Sequence, residues 1–436
     1  MTTEQLYQIY LQHPQVCTDT RGIIPGSIFF ALKGANFNAN TFAQKALESG
    51  AAFAVIDEAV YKTSDRFILV NDALTALQDL ARHHRKQLQI PVIGLTGSNG
   101  KTTTKELINA VLSRKFKTYA TKGNLNNHIG VPLTLLSIFA ETEIAIIEMG
   151  ANHQQEIAFL SGLAQPTHGM ITNIGRAHLE GFGGPEGVRK GKGELFDWLE
   201  QHNGTVFVNH DDLVLEEMAF HRNFAKTVYY GKDQANLVSG EILENVPLLK
   251  LNWWANGHPS TQKQAVQTNL TGSYNLSNLL AAVSIGVFWG LSAEEINAGI
   301  SGYQPSNNRS QILQTKTNTL ICDYYNANPS SMEVAIQNLG AIAADKKVLI
   351  LGDMFELGEH ASAEHALIIK KANEIEAGQR IFIGKEFYRH HAVFTGTFFE
   401  TTDAAFIALK TAPVTGATVL IKGSRGMRLE ILAAVL

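Results

Sequence analysis

The segment Leu95-Thr96-Gly97-Ser98-Asn99-Gly100-Lys101-Thr102-Thr103-Thr104-Lys105-Glu106 constrains this chain more than any other. It follows the apolar run Val92–Leu95 and opens a helical pattern, which is the strand–loop–helix setting of a phosphate loop. Glycines let backbone amides wrap an anion, Lys101 adds a point charge, and Thr102 offers a hydroxyl to magnesium. A helix starting near Thr102 turns its positive end toward the same anion. Leu95 stands where the common spacing has glycine, so the loop is glycine-x-x-glycine-lysine-threonine. Gly97, Ser98, Asn99, Gly100, Lys101, Thr102 and Thr103 are therefore candidate ATP-binding residues, with a surface turn before a capped helix as the structural alternative.

A strand feeding such a loop implies an α/β sheet. Apolar runs ending in glycine recur at Ile144–Gly150 and Val348–Gly352, each followed by a helical pattern. That alternation is expected of sheets with crossover helices, whose functional groups gather at the carboxyl ends of the strands. At 436 residues the chain has room for about three domains. The first is expected over 1–88, with strands near Ser27–Leu32, Ala52–Ile56 and Phe67–Val70, and helices at Phe42–Ser49 and Ala73–Leu88. Proline after Ile90 marks its end. The second, 89–303, is expected to carry short strands through 205–270 and to close with the apolar helix after Asn278. Gln304–Asn308 reads as a linker to a third domain, 304–436. There, strands are expected at Leu320–Asp323, Val348–Leu351, Arg380–Ile383 and Thr418–Ile421, with helices at Ser331–Leu339 and Ala361–Glu374.

Composition narrows the partners. Thirty-six basic against 40 acidic residues leave no basic excess for nucleic acid or an anionic membrane. The apolar stretch Leu279–Leu291 is too short to span a bilayer. Two cysteines, Cys17 and Cys322, give neither a disulfide framework nor a zinc spacing, and the amino terminus lacks signal-peptide character. A cytoplasmic, soluble protein follows; a monomer is expected, though none of these features bears on it.

Other segments carry possible chemistry. Lys122–Pro132 places Asn124, Asn126, Asn127 and His128 in one loop, equally suited to a substrate or to a capped turn. Glu148 leaves a buried strand beside the phosphate loop, either as a magnesium ligand, since that ion takes hard oxygens, or as an exposed strand-end carboxylate. His178, after another apolar run, taken singly reads as structural or merely exposed. Lys192 sits in Arg189-Lys190-Gly191-Lys192-Gly193, which by composition is a solvated basic turn.

Taken together these segments resemble the muramyl ligase family, ATP-dependent amide-forming enzymes of peptidoglycan synthesis, over nearly the whole chain. Further matching segments are Asn173–Glu180, Asp323–Pro329, Leu351–Gly358 and Lys422–Met427. The resemblance implies an α/β fold of three domains: an N-terminal UDP-substrate domain, a central ATPase domain with a mostly parallel sheet, and a Rossmann-like C-terminal domain. It implies ATP and Mg2+, with Thr102, Glu148, His178 and Lys192 as metal-holding residues, Lys192 carbamylated, and Lys101, Lys192 and His178 catalytic. It places Asn275 and Asn278 near the adenine, after a tyrosine (Tyr274) where the family usually has histidine, and brings Arg309 and Asp323 to the nucleotide. Asp19, Thr20, Arg21, Lys33 and Gly34 match the uridine-nucleotide segment, for which a surface ion pair of Asp19 and Arg21 is the alternative. Asn38-Ala39-Asn40 replaces the family's usual Asp-Gly-His. Asn126, Asn127, Asn326 and Asn328 are the remaining substrate candidates. Tyr325-Asn326-Ala327-Asn328-Pro329 is similar to the member that adds the terminal dipeptide, so UDP-N-acetylmuramoyl-tripeptide and D-alanyl-D-alanine are the expected substrates. Another muramyl or folylpolyglutamate-type ligase is the alternative, and a nucleotide switch or kinase would leave the third-domain segments without a role.

Overall fold

A computed structural model of the chain describes residues 1–245, 248–256, 262–306 and 308–436. Asn307, within the expected linker, lies outside them. Three principal sheets follow one another along the chain, and their makeup reflects which runs are apolar throughout. Strands buried on both faces read as continuous Val/Ile/Leu runs and pair in parallel.

The N-terminal sheet orders Val16–Cys17, Ile28–Phe30, Phe53–Ile56 and Phe67–Leu69, all parallel. Its last helix, Ala73–Gln87, is capped by Asp72, which accepts from Thr75 N at 2.7 Å. That helix buries Leu77, Leu80 and Ala81, and its apolar cluster runs without a break into Leu135, Leu160 and Leu199 of the following sheet's helices. Buried Arg85 reinforces the join. Its Nε donates to Ala164 O at 2.7 Å and its Nη2 to Gln165 O at 2.8 Å, satisfying the carboxyl end of helix Glu156–Ala164.

The central sheet has nine strands. Val92–Thr96 lies between Ile144–Glu148 on one side and His168–Ile171 on the other. Chain order therefore reverses at Val92–Thr96, and a crevice for ligands opens at such a point beyond the carboxyl ends. Pairing is parallel out to Val238–Glu244, beyond which Lys250–Ala255 and Gln264–Gln267 add antiparallel strands. The stretch 205–270 is not strands alone: Leu213–Phe220 is a helix, capped by Asp212, whose carboxylate accepts from Val214 N and Leu215 N. Nor does one helix close this part. The helix Asn275–Phe288 is followed by Ala293–Gly302, started by a capping box of Ser292 and Glu295.

The C-terminal sheet orders Gln311–Gln314, Thr319–Asp323, Thr418–Lys422, Lys347–Gly352, Gln379–Ile383 and Thr397–Phe399, parallel except for its first pair. The strands Gln311–Gln314 and Thr397–Phe399 join the four expected from sequence. Both are sheet edges, with short, half-exposed patterns that carry little apolar signal. Among the described residues no helix is long and apolar enough to cross a membrane.

Candidate active site

The carboxyl ends of the central and C-terminal sheets face each other across a cleft of about 1020 Å³. On the central side the phosphate loop leaves Thr96 and enters the helix Lys101–Leu112. Two glycines make the turn possible. Gly97 has φ +143° and a Cβ there would overlap the Thr172 side chain, while Gly100 has φ +77° and a Cβ would lie 2.7 Å from Asn278 Oδ1. Lys101 Nζ donates to Gly97 O at 2.6 Å and Ser98 O at 3.2 Å. Burial pushes this ammonium down to about 8, with Glu148 opposing the shift and Arg309 adding to it.

Thr102 and Glu148 meet behind the loop. Thr102 Oγ1 donates to Glu148 Oε2 at 3.0 Å, Asn126 Nδ2 donates to Glu148 Oε1 at 2.8 Å, and the carboxylate is 1% exposed. Lys105, fully buried one helical turn on, stands 3.8 Å from Glu148 Oε2 and donates to Thr121 O at 2.6 Å. Nothing in its sequence position distinguished this lysine from a solvated one. Only the period of the helix places it on the buried face, with Leu107, Ile108 and Val111 as its neighbours in sequence.

Asn275 and Asn278 lie on the first turns of the helix Asn275–Phe288, at the same end of the cleft. Asn278 Nδ2 donates to Asn275 Oδ1 at 2.9 Å, and Thr104 Oγ1 of the phosphate-loop helix donates to Asn278 Oδ1 at 3.0 Å. Burial raises the Tyr274 phenol, which bonds Ser310 Oγ at 2.7 Å. From the C-terminal sheet, Asp323 accepts from Lys422 Nζ at 2.6 Å, and the two are register partners on adjacent strands. Arg309 lays its guanidinium 3.8 Å over the Tyr325 ring, a stacked cation–π contact. Asn328 caps the helix Pro329–Ala341 and donates through Nδ2 to Asn99 Oδ1 at 2.8 Å, a direct bond from that helix to the phosphate loop.

His178, at φ +53°, bonds through Nδ1 to the carboxylate of Glu356, itself at φ +63°, from the opposite wall. Two non-glycine residues in the left-handed region meeting across a cleft mark a constrained site. Glu356, Lys105, Lys422, Asn173 and Tyr325 are the members of this constellation that residue-by-residue sequence reading did not single out. Each sits one to three positions from a residue that it did, or pairs with one across the fold.

Residues 95–286 match the Mur ligase middle domain and residues 308–425 the Mur ligase, glutamate ligase domain. The UDP-N-acetylmuramoyl-tripeptide–D-alanyl-D-alanine ligases of Bacillus subtilis and Escherichia coli are 34% and 35% identical to this chain. Each alignment covers 95% of it, and 91% and 92% of those proteins. The chain belongs to the Mur ligase family. Among solved structures, MurF from Acinetobacter baumannii aligns at a TM-score of 0.85 with 31% identity, covering 99% of this chain and 98% of that one. MurF from Thermotoga maritima, in complex with ADP, aligns at 0.83 with 25% identity, covering 98% and 97%.

This Mur ligase is thus an enzyme, and its cleft gathers most of the residues that the sequence singled out: Ser98, Asn99, Gly100, Lys101 and Thr103 of the loop, Asn126, Asn127, Glu148 and His178 beside it, and Asn275, Asn278, Arg309, Asp323, Asn326 and Asn328. Asn127 spends its side-chain oxygen on Ile129 N and Gly130 N, starting the helix Gly130–Leu135. Asn326 offers its backbone oxygen to Lys422. Lys192 is no solvated turn. It lies inside the helix Pro185–Gln201, 1% exposed, donating to Ala151 O at 3.0 Å with its ammonium 4.8 Å over the Phe182 ring. Burial, with Lys101 adding to it, presses Lys192 well below the ordinary lysine range.

The N-terminal candidates lie apart from this cleft. Asp19 starts the short turn Thr20–Gly22 and pairs with Arg21 at 2.5 Å, both exposed. That bond holds the Asp19 carboxyl down to about 2. Lys33 and Gly34 form a two-residue strand with Phe37–Asn38, and Lys33 Nζ stands 3.2 Å from Asp57. Asn38 and Asn40 bond each other and reach Glu58 and Asp57, each at 2.8 Å.

Proposed function

We propose that this Mur ligase joins D-alanyl-D-alanine to UDP-N-acetylmuramoyl-tripeptide at the expense of ATP, the reaction named for its relatives from B. subtilis and E. coli. One observation carries the reading to this cleft: a phosphate loop is bonded through Asn99 to Asn328, in the Tyr-Asn-Ala-Asn-Pro segment, on the facing wall. A carboxylate does not condense with an amine in water until its oxygen becomes a leaving group. The peptide carboxylate attacks the γ-phosphorus of ATP, the bond to the β-phosphate oxygen breaks, and ADP and an acyl phosphate result. The dipeptide amine then attacks the acyl carbon, loses a proton, and expels inorganic phosphate as the amide forms. Phosphoryl transfer demands positioning and charge neutralisation more than covalent help from the protein. The loop amides and Lys101 supply both, Arg309 and Asp323 reach the nucleotide from the C-terminal side, and Asn275 and Asn278 flank the adenine.

Mg2+ fits the donor set, because the Thr102 hydroxyl and Glu148 carboxylate are hard oxygens held together beside the loop. His178, which lines the same cleft, and a carbamylated Lys192 would supply the remaining protein ligands. When bound, the ion neutralises phosphate charge. A carbamate on Lys192 is supported by a buried amine whose surroundings favour the neutral form, the form that takes up carbon dioxide. Its donor contact is to Ala151, on the cleft wall. The uridine nucleotide is assigned to Asp19, Thr20, Arg21, Lys33 and Gly34, and the peptide and dipeptide to Asn126, Asn127, Asn326 and Asn328. The working units are 1–88, 89–303 and 304–436, in a cytoplasmic monomer.

The substrate assignment is tested by phosphate release with ATP, magnesium and the UDP-muramoyl tripeptide. D-alanyl-D-alanine should trigger it and single amino acids should not, whereas equal stimulation by D-glutamate or lysine would move the chain to another member of the family. The Lys192 assignment is tested by 13C NMR after equilibration with labelled bicarbonate. A carbamate resonance lost in Lys192→Ala, with partial rescue of that variant's activity by millimolar formate, is expected, and no resonance in the wild type would sink it.

A further inference from the structure

Residues 172–178 connect the strand His168–Ile171 to the short helix Leu179–Phe182 and are bonded on both flanks. Toward the phosphate loop, Gly175 N donates to Ser98 Oγ at 2.9 Å, and that hydroxyl donates to Gly175 O at 3.1 Å. Asn173 Oδ1 accepts from Asn99 N at 3.0 Å and its Nδ2 donates to Asn99 O at 2.9 Å. Toward the C-terminal wall, Arg176 N donates to Ser330 Oγ at 2.9 Å. Its guanidinium then forks, with Nη2 2.5 Å from Glu333 and Nη1 3.2 Å from Glu364.

Glu333 lies on the helix Pro329–Ala341 and Glu364 on Ala361–Glu374, so one arginine ties two C-terminal helices to a loop of the central sheet. The three side chains are 34%, 26% and 13% exposed, so solvent screens the pairs less than it does fully exposed ones. Two carboxylates on one planar guanidinium also fix its direction in a way a lysine would not. Arg176 is not among the described residues that line the cleft, so its contacts with Ser330, Glu333 and Glu364 are what it can contribute there.

We infer that Arg176 is a positioning residue that keeps the two walls together while the acyl phosphate exists. The inference rests on the ligase reading above. With the walls parted, water replaces the amine at the acyl carbon: the carbon–oxygen bond to phosphate breaks, the carboxylic acid is regenerated, and the net result is ATP hydrolysis. The clamp thereby sets how faithfully ATP use is coupled to amide formation, which a purely structural role would leave untouched.

The test measures phosphate released per amide formed, with ATP, magnesium, UDP-muramoyl tripeptide and dipeptide. Wild type should give a ratio of one. Arg176→Ala should raise it at least twofold while ADP affinity, by calorimetry, stays within twofold, and Arg176→Lys should fall between. Should Arg176→Ala fail to fold by circular dichroism, the Glu333→Gln/Glu364→Gln double variant removes the clamp from the other side and must show the same rise. A wild type that forms no amide overturns the ligase reading and this inference with it. A tightly coupled wild type alongside an equally coupled clamp variant overturns the inference alone.

Discussion

Replacing Lys105 with methionine isolates the charge that keeps Glu148 in place. The stem is retained and the ammonium is lost, along with its contacts at 2.6 Å to Thr121 O, 3.0 Å to Glu106 and 3.8 Å to Glu148. At 3.8 Å and an effective dielectric constant of about 20, two unit charges attract by ~4 kcal/mol. Removing one partner of a buried pair typically costs about 3–5 kcal/mol, because the survivor is left buried and uncompensated. The expected loss for Lys105→Met is therefore of that size. All four tryptophans, at 198, 253, 254 and 289, fall within the central sheet and its helices, so fluorescence during urea titration follows this part alone. Glu148→Gln provides the control. A glutamine needs no counter-charge, so in that background Lys105→Met should cost only about 1–2 kcal/mol, for the unsatisfied Thr121 carbonyl and the lost pair with part-exposed Glu106. A loss below about 1 kcal/mol in the wild-type background, or equal losses in both, would refute the reasoning.

Three further outcomes are expected. Burial against Phe288 and Trp289 holds His168 down to about 4, so the unfolded chain binds more protons between about pH 6.5 and 4 and stability falls with pH in that window, by of order 1–3 kcal/mol. His168→Phe should flatten that part of the stability–pH curve, and an unchanged slope would dismiss the assignment. Lys101→Ala should reduce ATP-dependent phosphate release more than tenfold while the circular dichroism spectrum is kept; a variant retaining over a tenth of turnover would remove the loop from the chemistry. Arg21→Ala should raise the KM for the UDP substrate roughly tenfold, about the worth of one charge-assisted pair, and leave that for ATP alone. No change in either returns Arg21 to its exposed ion pair with Asp19.

The fold was legible where apolar runs met glycine. The helix Ala361–Glu374 was expected with those same bounds, and Val92–Thr96 could be read as the strand feeding the loop because every residue in it is apolar or small. The helix Leu213–Phe220 was lost among strands because its eight residues carry no polar face at helical spacing. The site was legible as residue types and opaque as partnerships. Glu148 could be named from its strand end, but its attachment to Lys105 needs the turn of a helix. His178 could be named from its segment, but Glu356 lies 178 positions away and meets it only through tertiary packing. Lys192 shows the opposite difficulty. Its neighbours Arg189 and Lys190 read as a solvated run, and only helical rotation inside Pro185–Gln201 turns the lysine inward.

The apolar cluster that joins Leu6 and Leu77 to Leu160, Leu199 and Ala219 has a consequence for how the chain matures on the ribosome. The closing helix, Ala73–Gln87, packs not only on Thr3–Gln12 and Ile28–Phe30 but also on Gly130–Leu135 and Glu156–Ala164, so its packing is incomplete until residues as far as 164 have been made. At about 5–20 residues per second, that interval lasts roughly 4–15 s. During it the part of that helix destined for the central sheet's helices stays uncovered, a stripe that a chaperone reading apolar helices would find. The N-terminal segment is thus made first and finished late, docking as the central sheet forms beneath it.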